Sequence, residues 1–423
     1  MRDGGRIAAA IGVLGEMARR HRPAHLALKA WGDGARYAGA KDRAFVAGLV
    51  LDALRRRRSI GWMIGDDEDR AAALGVCRFL WDWPLERIAA AAEEPHGPGA
   101  LSDDERERLA DPLPLDDAPA PVAGDYPDWL DPNLAREFGE GRAAQTRAMA
   151  TRAPVDLRVN TLKTDAEHVL KALAPFHPEP LGFPANALRI AAPAAAERAA
   201  PVEATAAFEK GWFEVQDAGS QIAAAVAGDI GRAQVLDYCA GGGGKTLALA
   251  AAMGGTGQLY AYDADARRLA ETVKRARRAG VRNLQVREPT ASAPLADLEG
   301  RMDLVFVDAP CTGTGTWRRH PDAKWRLTEA QLQRRIAEQA AIIAAASAYV
   351  KPGGRLIYVT CSLLAEENED QVAAFLAARP DFEAAPIDLE GAQAWRTDEG
   401  FLRLSPLTAR VDGFFVAALA RRR

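Results

Sequence analysis

Cysteine is scarce in this 423-residue chain: there are four, and no pair has CxxC spacing. That argues against a zinc ribbon or a disulfide framework, and no metal is expected. No apolar run approaches the ~20 residues that span a bilayer, so no membrane segment is expected. The first residues lack the charged-then-apolar pattern of an export signal, so a reducing, cytoplasmic setting with free thiols is the expectation. Charge of one sign is also missing. The formal net charge is only -4, so any nucleic-acid surface must be local. Local basic runs do occur, at Arg55–Arg58, at Lys274 to Arg278, at Arg318-Arg319 and at Arg421–Arg423. Each by itself reads equally as a solvated face.

The length calls for two or three domains. Residues 1–110 read as all helix: Ile7, Ile11, Leu14 and Met17 share one face, as do Phe45, Leu49, Val50 and Leu54. A Pro-rich stretch from Pro112 to Pro127 reads as a linker or an extended strap, and with a connecting helix it fills residues 111–145. Residues 146–230 read as a small α+β unit, with strands at Val155–Leu162, Ala187–Ile190 and Trp212–Val215. From residue 231 onward, strands alternate with helices, the pattern of a doubly wound α/β sheet. Val411–Leu419 is expected as a last, antiparallel strand.

Two cysteines sit in matched settings. Val305-Phe306-Val307-Asp308-Ala309-Pro310-Cys311 and Leu356-Ile357-Tyr358-Val359-Thr360-Cys361 are both strand-like runs that stop at a thiol. In an open α/β sheet, carboxyl strand ends face the ligand crevice, so two thiols there suggest covalent work on a bound substrate. The alternative is that both are small buried hydrophobes. Cys77 reads as core, and Cys239 as a packing residue of a loop.

That loop, Cys239-Ala240-Gly241-Gly242-Gly243-Gly244-Lys245-Thr246, invites a nucleotide reading. A phosphate-binding P-loop needs Gly where Cys239 stands, and the dinucleotide pattern fails at Thr246. S-adenosylmethionine fits better. It needs close backbone approach, which glycine permits, and an acid for its ribose hydroxyls, which Asp263 at a strand end supplies.

With these residues in view, the chain resembles the NOL/NOP/Sun family of RNA cytosine-C5 methyltransferases, in particular its bacterial ribosomal-RNA branch. Three motifs carry the resemblance: the run Asp237 to Thr246; Asp308-Ala309-Pro310-Cys311 through Gly315 with Arg319-His320-Pro321-Asp322; and Thr360-Cys361-Ser362 with Glu366-Glu367-Asn368-Glu369. Weaker agreement runs from Arg152 to Thr161, through Val215-Gln216-Asp217, and to Asp412-Gly413-Phe414-Phe415. The resemblance implies a NusB-like RNA-binding bundle, a small α+β RNA-binding unit, and a Rossmann-like class I methyltransferase domain over 231–423.

It implies Cys361 as nucleophile, Cys311 as the residue assisting product release, and Asp308 beside the base. Cofactor contacts are implied for Cys239, Ala240, Gly241, Gly242, Gly243, Gly244, Lys245, Asp263, Asp308 and Glu288. Lys245 is also a candidate for placing positive charge near the thiols. Arg318, Arg319 and His320 are expected to meet RNA. The partner is RNA, most readily 16S ribosomal RNA, and the protein is expected to be a monomer. A tRNA substrate, or an assembly factor of the same fold, are the alternatives. The chain departs from the family in having Gly242 where proline is usual, and Glu288 is its only candidate for an acid near the adenine.

Overall fold

Helices fill the first 150 residues for the reason their apolar spacing gives. In the computed structural model, which describes residues 1–290 and 292–423, Asp3–Arg20, Ala24–Gly34 and Ala40–Arg55 are helical, and they bury Ile7, Leu14, Ala27, Leu49 and Val50 together. Each such leucine, isoleucine or valine side chain contributes about 1.5–3 kcal/mol on burial. The apolar run around Leu74 forms helix Asp69–Gly75, which widens into a π-helical turn over Val76–Leu80, and Cys77 is fully buried there. No described helix is long and apolar enough to cross a membrane.

The Pro-rich stretch is not an extended strap. It winds into short turns at Leu115–Asp117, Ala120–Ala123 and Asp128–Leu130. Each of these turns follows a proline, whose fixed φ starts a helical turn. Asp125 then accepts bonds from Ser59 N (3.0 Å) and Ser59 Oγ (2.7 Å), satisfying the start of helix Arg57–Ile64.

Residues 1–153, 192–199 and 316–327 form one compact unit, and the remaining described residues form a second. The inclusion of 316–327 has a local cause. The last carbonyls of helix Ala40–Arg55 need donors. Lys324 Nζ meets the Arg55 carbonyl at 2.9 Å, and Trp325 Nε1 meets that of Leu54 at 2.7 Å. Arg55 returns a bond from Nη2 to the Arg318 carbonyl at 2.9 Å, and Asp322 Oδ2 accepts from Ala24 N at 3.2 Å. The expectation that Arg318 meets RNA is therefore corrected: its side chain is 3% exposed, and its segment serves as a plug in the helical unit. His320 remains exposed.

The second unit holds two sheets. The smaller is antiparallel, with order β2-β3-β1-β4, built from β1 (Val155–Val159), β2 (Glu179–Pro180), β3 (Ala187–Ile190) and β4 (Phe213–Val215). The larger contains β5 (Gln234–Asp237), β6 (Gln258–Tyr262), β7 (Leu284–Arg287), β8 (Met302–Asp308), β9 (Val350–Thr360), β10 (Phe382–Ala385), β11 (Leu402–Leu404) and β12 (Phe414–Arg421). Its order is β10-β12-β9-β8-β5-β6-β7, with β11 paired to β12. Strands β5 to β9 run parallel, and β12 is antiparallel to β9, as expected.

The chain leaves β5 for β6 on one side and later returns to β8 on the other. This reversal opens a crevice beyond the carboxyl ends of those strands. The two sheets are tied by charge: Glu214 on β4 takes Arg275 (2.9 Å) and Arg278 (2.6 Å) of helix Ala266–Ala279. Asn160 Nδ2 also bonds the Ala279 carbonyl, at 2.8 Å.

Candidate active site

Four strand ends meet at one cleft of about 730 Å³. β5 delivers the glycine loop, β6 delivers Asp263, β8 delivers Asp308 and Cys311, and β9 delivers Cys361. Cys239, Ala240, Gly241, Gly242, Gly244, Lys245, Asp263, Asp308, Cys311 and Cys361 all line it. Gly243 does not; it is the left-handed residue (φ 84°) that starts helix Gly244–Ala252, and a Cβ there would meet Thr272 at 2.9 Å. Glu288 follows β7, is exposed, and lies outside the lining.

The glycine loop is held from behind. Thr272 Oγ1 bonds the Gly241 carbonyl (2.9 Å), and Arg275 Nη1 bonds that of Gly242 (2.6 Å). These contacts fix the loop where the usual proline is replaced by Gly242. Asp263 accepts from Gly241 N and from Asp265 N, both at 2.8 Å. Each carboxylate oxygen keeps a further lone pair for a ligand hydroxyl.

Lys245 meets a carboxylate in the same cleft. Its ammonium pairs with Asp308 Oδ2 at 2.7 Å and sits 5.2 Å from the Phe414 ring centroid. Behind them Asp237 is fully buried, with Oδ2 bonded by Thr246 Oγ1 at 2.6 Å and Oδ1 unpartnered. Burial pushes its carboxyl up to about 7, against the Thr246 bond. An unfolded chain ionises this group near pH 3.9. Between about pH 4 and 7 the folded protein keeps a proton that the unfolded chain has released, so this residue's contribution to stability falls as pH rises and levels off above. Asp237→Asn should therefore melt several degrees above wild type at pH 8, with the gap closing towards pH 4 in thermal melts.

The two thiols lie Sγ to Sγ at 3.3 Å, hydrogen-bonded and both free. The hydrogen bond to Cys361, burial, and the negative charge of Cys361 and Glu367 push the Cys311 thiol well up, opposed only by the Gly313 amide. Either sulfur can donate in this hydrogen bond. Cys239 is also pushed up, by burial and by the carboxylates of Asp237, Asp308 and Asp263, which suits packing rather than attack.

The motifs around these thiols touch one another. Gly315 N bonds the Cys361 carbonyl (2.9 Å), and Gly413 N bonds the Gly315 carbonyl (2.7 Å). A Cβ on Gly315 would come within 2.2 Å of the Gly413 backbone, so both positions require glycine. Gln216, Ser220, Asp265, Arg268, Arg275 and Arg335 also line the cleft, and none had been expected there. Val215-Gln216-Asp217 was a visible motif, but nothing in its local pattern pointed to the cleft.

Strand order, cleft and paired strand-end residues define a Rossmann-like methyltransferase. Residues 229–420 match the family described as 16S rRNA methyltransferase RsmB/F, and residues 126–196 match the RsmF/B-like ferredoxin-like domain. The chain is 31% identical over 413 residues to ribosomal RNA small subunit methyltransferase B of Cronobacter sakazakii, covering 90% of this chain and 91% of that protein. It is 29% identical over 416 residues to the probable ribosomal RNA small subunit methyltransferase B of Synechocystis, covering 90% and 91%. A solved methyltransferase homolog from Pyrococcus horikoshii superposes with a TM-score of 0.60 at 27% identity, covering 71% of this chain and 97% of that one. The chain belongs to the RsmB/F family of ribosomal RNA methyltransferases.

Proposed function

We propose that this protein methylates C5 of a cytosine in 16S ribosomal RNA through a covalent bond between Cys361 and C6. The observation that carries this reading is the thiol pair at 3.3 Å on adjacent strand ends, sharing one cleft with Asp308. The bare glycine backbone and the two-oxygen acceptor Asp263 fit S-adenosylmethionine, with Lys245 and Asp308 on the same wall. That ligand supplies an electrophilic methyl group on a sulfonium.

C5 of cytosine is a weak nucleophile. The Cys361 thiolate adds to C6, forming a C–S bond and pushing electron density onto C5. C5 then takes the methyl group. Water takes the C5 proton, and departure of the C6–S electron pair with sulfur restores the aromatic ring and the Cys361 thiolate. Cys311 assists this release, being the thiol next to the breaking bond. The Asp308 carboxylate accepts a hydrogen bond from the exocyclic amine of the base. The base must leave its stack to reach the strand ends.

The test is methyl transfer from labelled S-adenosylmethionine to ribosomal RNA of a strain lacking this protein, with gels for covalent adducts. Label at C5 of a 16S cytosine is expected; transfer only to tRNA, or none, would overturn the reading. Asp263→Ala should weaken S-adenosylmethionine binding by about 3 kcal/mol, roughly 100-fold in Kd by calorimetry, through the lost charge-assisted bonds.

A further inference from the structure

The glycine loop turns on Gly241 and Gly242, and a bond from Gly243 N to the Ala240 carbonyl (2.8 Å) closes the turn. Glycine loses more conformational freedom on ordering than any other residue. A proline at 242 would stiffen this turn by its own ring. Here the stiffness comes from outside the loop. Arg275 Nη1 donates to the Gly242 carbonyl at 2.6 Å. The other edge of the same guanidinium, Nε and Nη2, meets Glu214 Oε2 at 3.2 and 2.9 Å. Glu214 Oε1 takes Arg278 Nη2 at 2.6 Å, and the Arg278 guanidinium lies over the Phe208 ring, 3.8 Å from its centroid.

Glu214 is 2% exposed and stands outside the cleft lining, whereas Arg275 is part of it. A buried carboxylate with a cation on each oxygen is a fixed anchor. The planar fork of arginine turns that anchor into a direction: with Nε and Nη2 held on Glu214, Nη1 is aimed at the loop. We propose that Glu214 is a positioning residue for S-adenosylmethionine. Acting through Arg275, it supplies the rigidity that Gly242 gives up, and so sets how tightly the glycine loop holds the cofactor. The proposal rests on that cofactor occupying this cleft. Thr272, one turn earlier on the same helix face, holds the Gly241 carbonyl separately, so the loop keeps one tether when the ion pair is lost.

Gly242→Pro is the matching variant. Gly242 is not among the residues with positive φ, and among the described residues none accepts from its N–H. A Cβ there would have Arg275 Nη1 at 3.6 Å, an ordinary contact.

The experiment measures S-adenosylmethionine binding to the full chain without RNA by calorimetry, in Glu214→Gln, Gly242→Pro and the double variant. Hydrogen exchange of residues 239–246 in the cofactor-free protein reads the loop directly. In Glu214→Gln, Kd should rise about 10-fold, as expected for losing one charge-assisted bond. The loop amides should exchange faster, while kcat at saturating cofactor moves much less than KM. In the Gly242→Pro background the same change should raise Kd by less than about 2-fold, because the ring already holds the turn. Arg275→Lys, which keeps a cation but loses the fork, should behave as Glu214→Gln does. Equal losses with and without the proline overturn the proposal, since Glu214 would then only hold the two sheets together. So does an unchanged Kd in Glu214→Gln and Arg275→Lys, an outcome that needs no proline variant. A wild type that binds no S-adenosylmethionine would sink the cofactor reading instead, while the exchange data still test the brace.

Discussion

Cys361→Ala should lose methyl transfer by at least ~10⁴-fold and form no covalent RNA adduct, because the bond that activates C5 can no longer form. The complementary Cys311→Ala should behave differently. With Cys361 intact, addition and methylation proceed, but release slows by about 10²–10³-fold. A persistent protein–RNA band on a denaturing gel, carrying label from the methyl donor, is the expected signature. The separation of 3.3 Å puts both sulfurs within reach of one bound base, as this division of labour requires. An adduct that persists in Cys361→Ala and is absent from Cys311→Ala would reverse the assignment.

Asp308→Asn is the second large effect, a fall in kcat of about 10²–10³-fold with S-adenosylmethionine affinity changed much less. The carboxylate is held by Lys245 at 2.7 Å, so its orientation is set before the base arrives. An asparagine keeps the shape, but its amide can turn a donor towards the exocyclic amine where the carboxylate accepts, so the base is no longer held for attack. The adduct yield should fall with kcat, since base activation precedes the C–S bond. A variant with full adduct yield and slow release would place Asp308 in the later step. Lys245, buried and deprived of its anion, should also lower the melting temperature by a few degrees.

Much of this site was readable from local pattern. Strands β5, β6, β8 and β9 are short β-branched or aromatic runs, and each carboxyl end carries a residue that lines or backs the cleft, Asp237, Asp263, Asp308 or Cys361. What was not readable depends on contacts distant in sequence. Glu367 reaches Thr312 across 55 positions. Gly315 and Gly413 look like ordinary turn glycines until their backbones are seen to meet. Arg318 sits in a basic pair that resembles an RNA contact, yet its backbone carbonyl is claimed by Arg55, 263 positions earlier. β10 and β11, of four and three residues, carry too little alternation to stand out.

The placement of β12 has a consequence for biosynthesis. It lies between β10 and β9, and β9 is the strand that carries Cys361. A nascent chain folds from its amino-terminal side as it emerges, so the helical residues and strands up to β9 can order while β9 still presents an open edge. Gly413, which braces the Cys311 loop, arrives with that same last stretch. The thiol pair therefore gains its final bracing only once residues through Arg421 have left the ribosome.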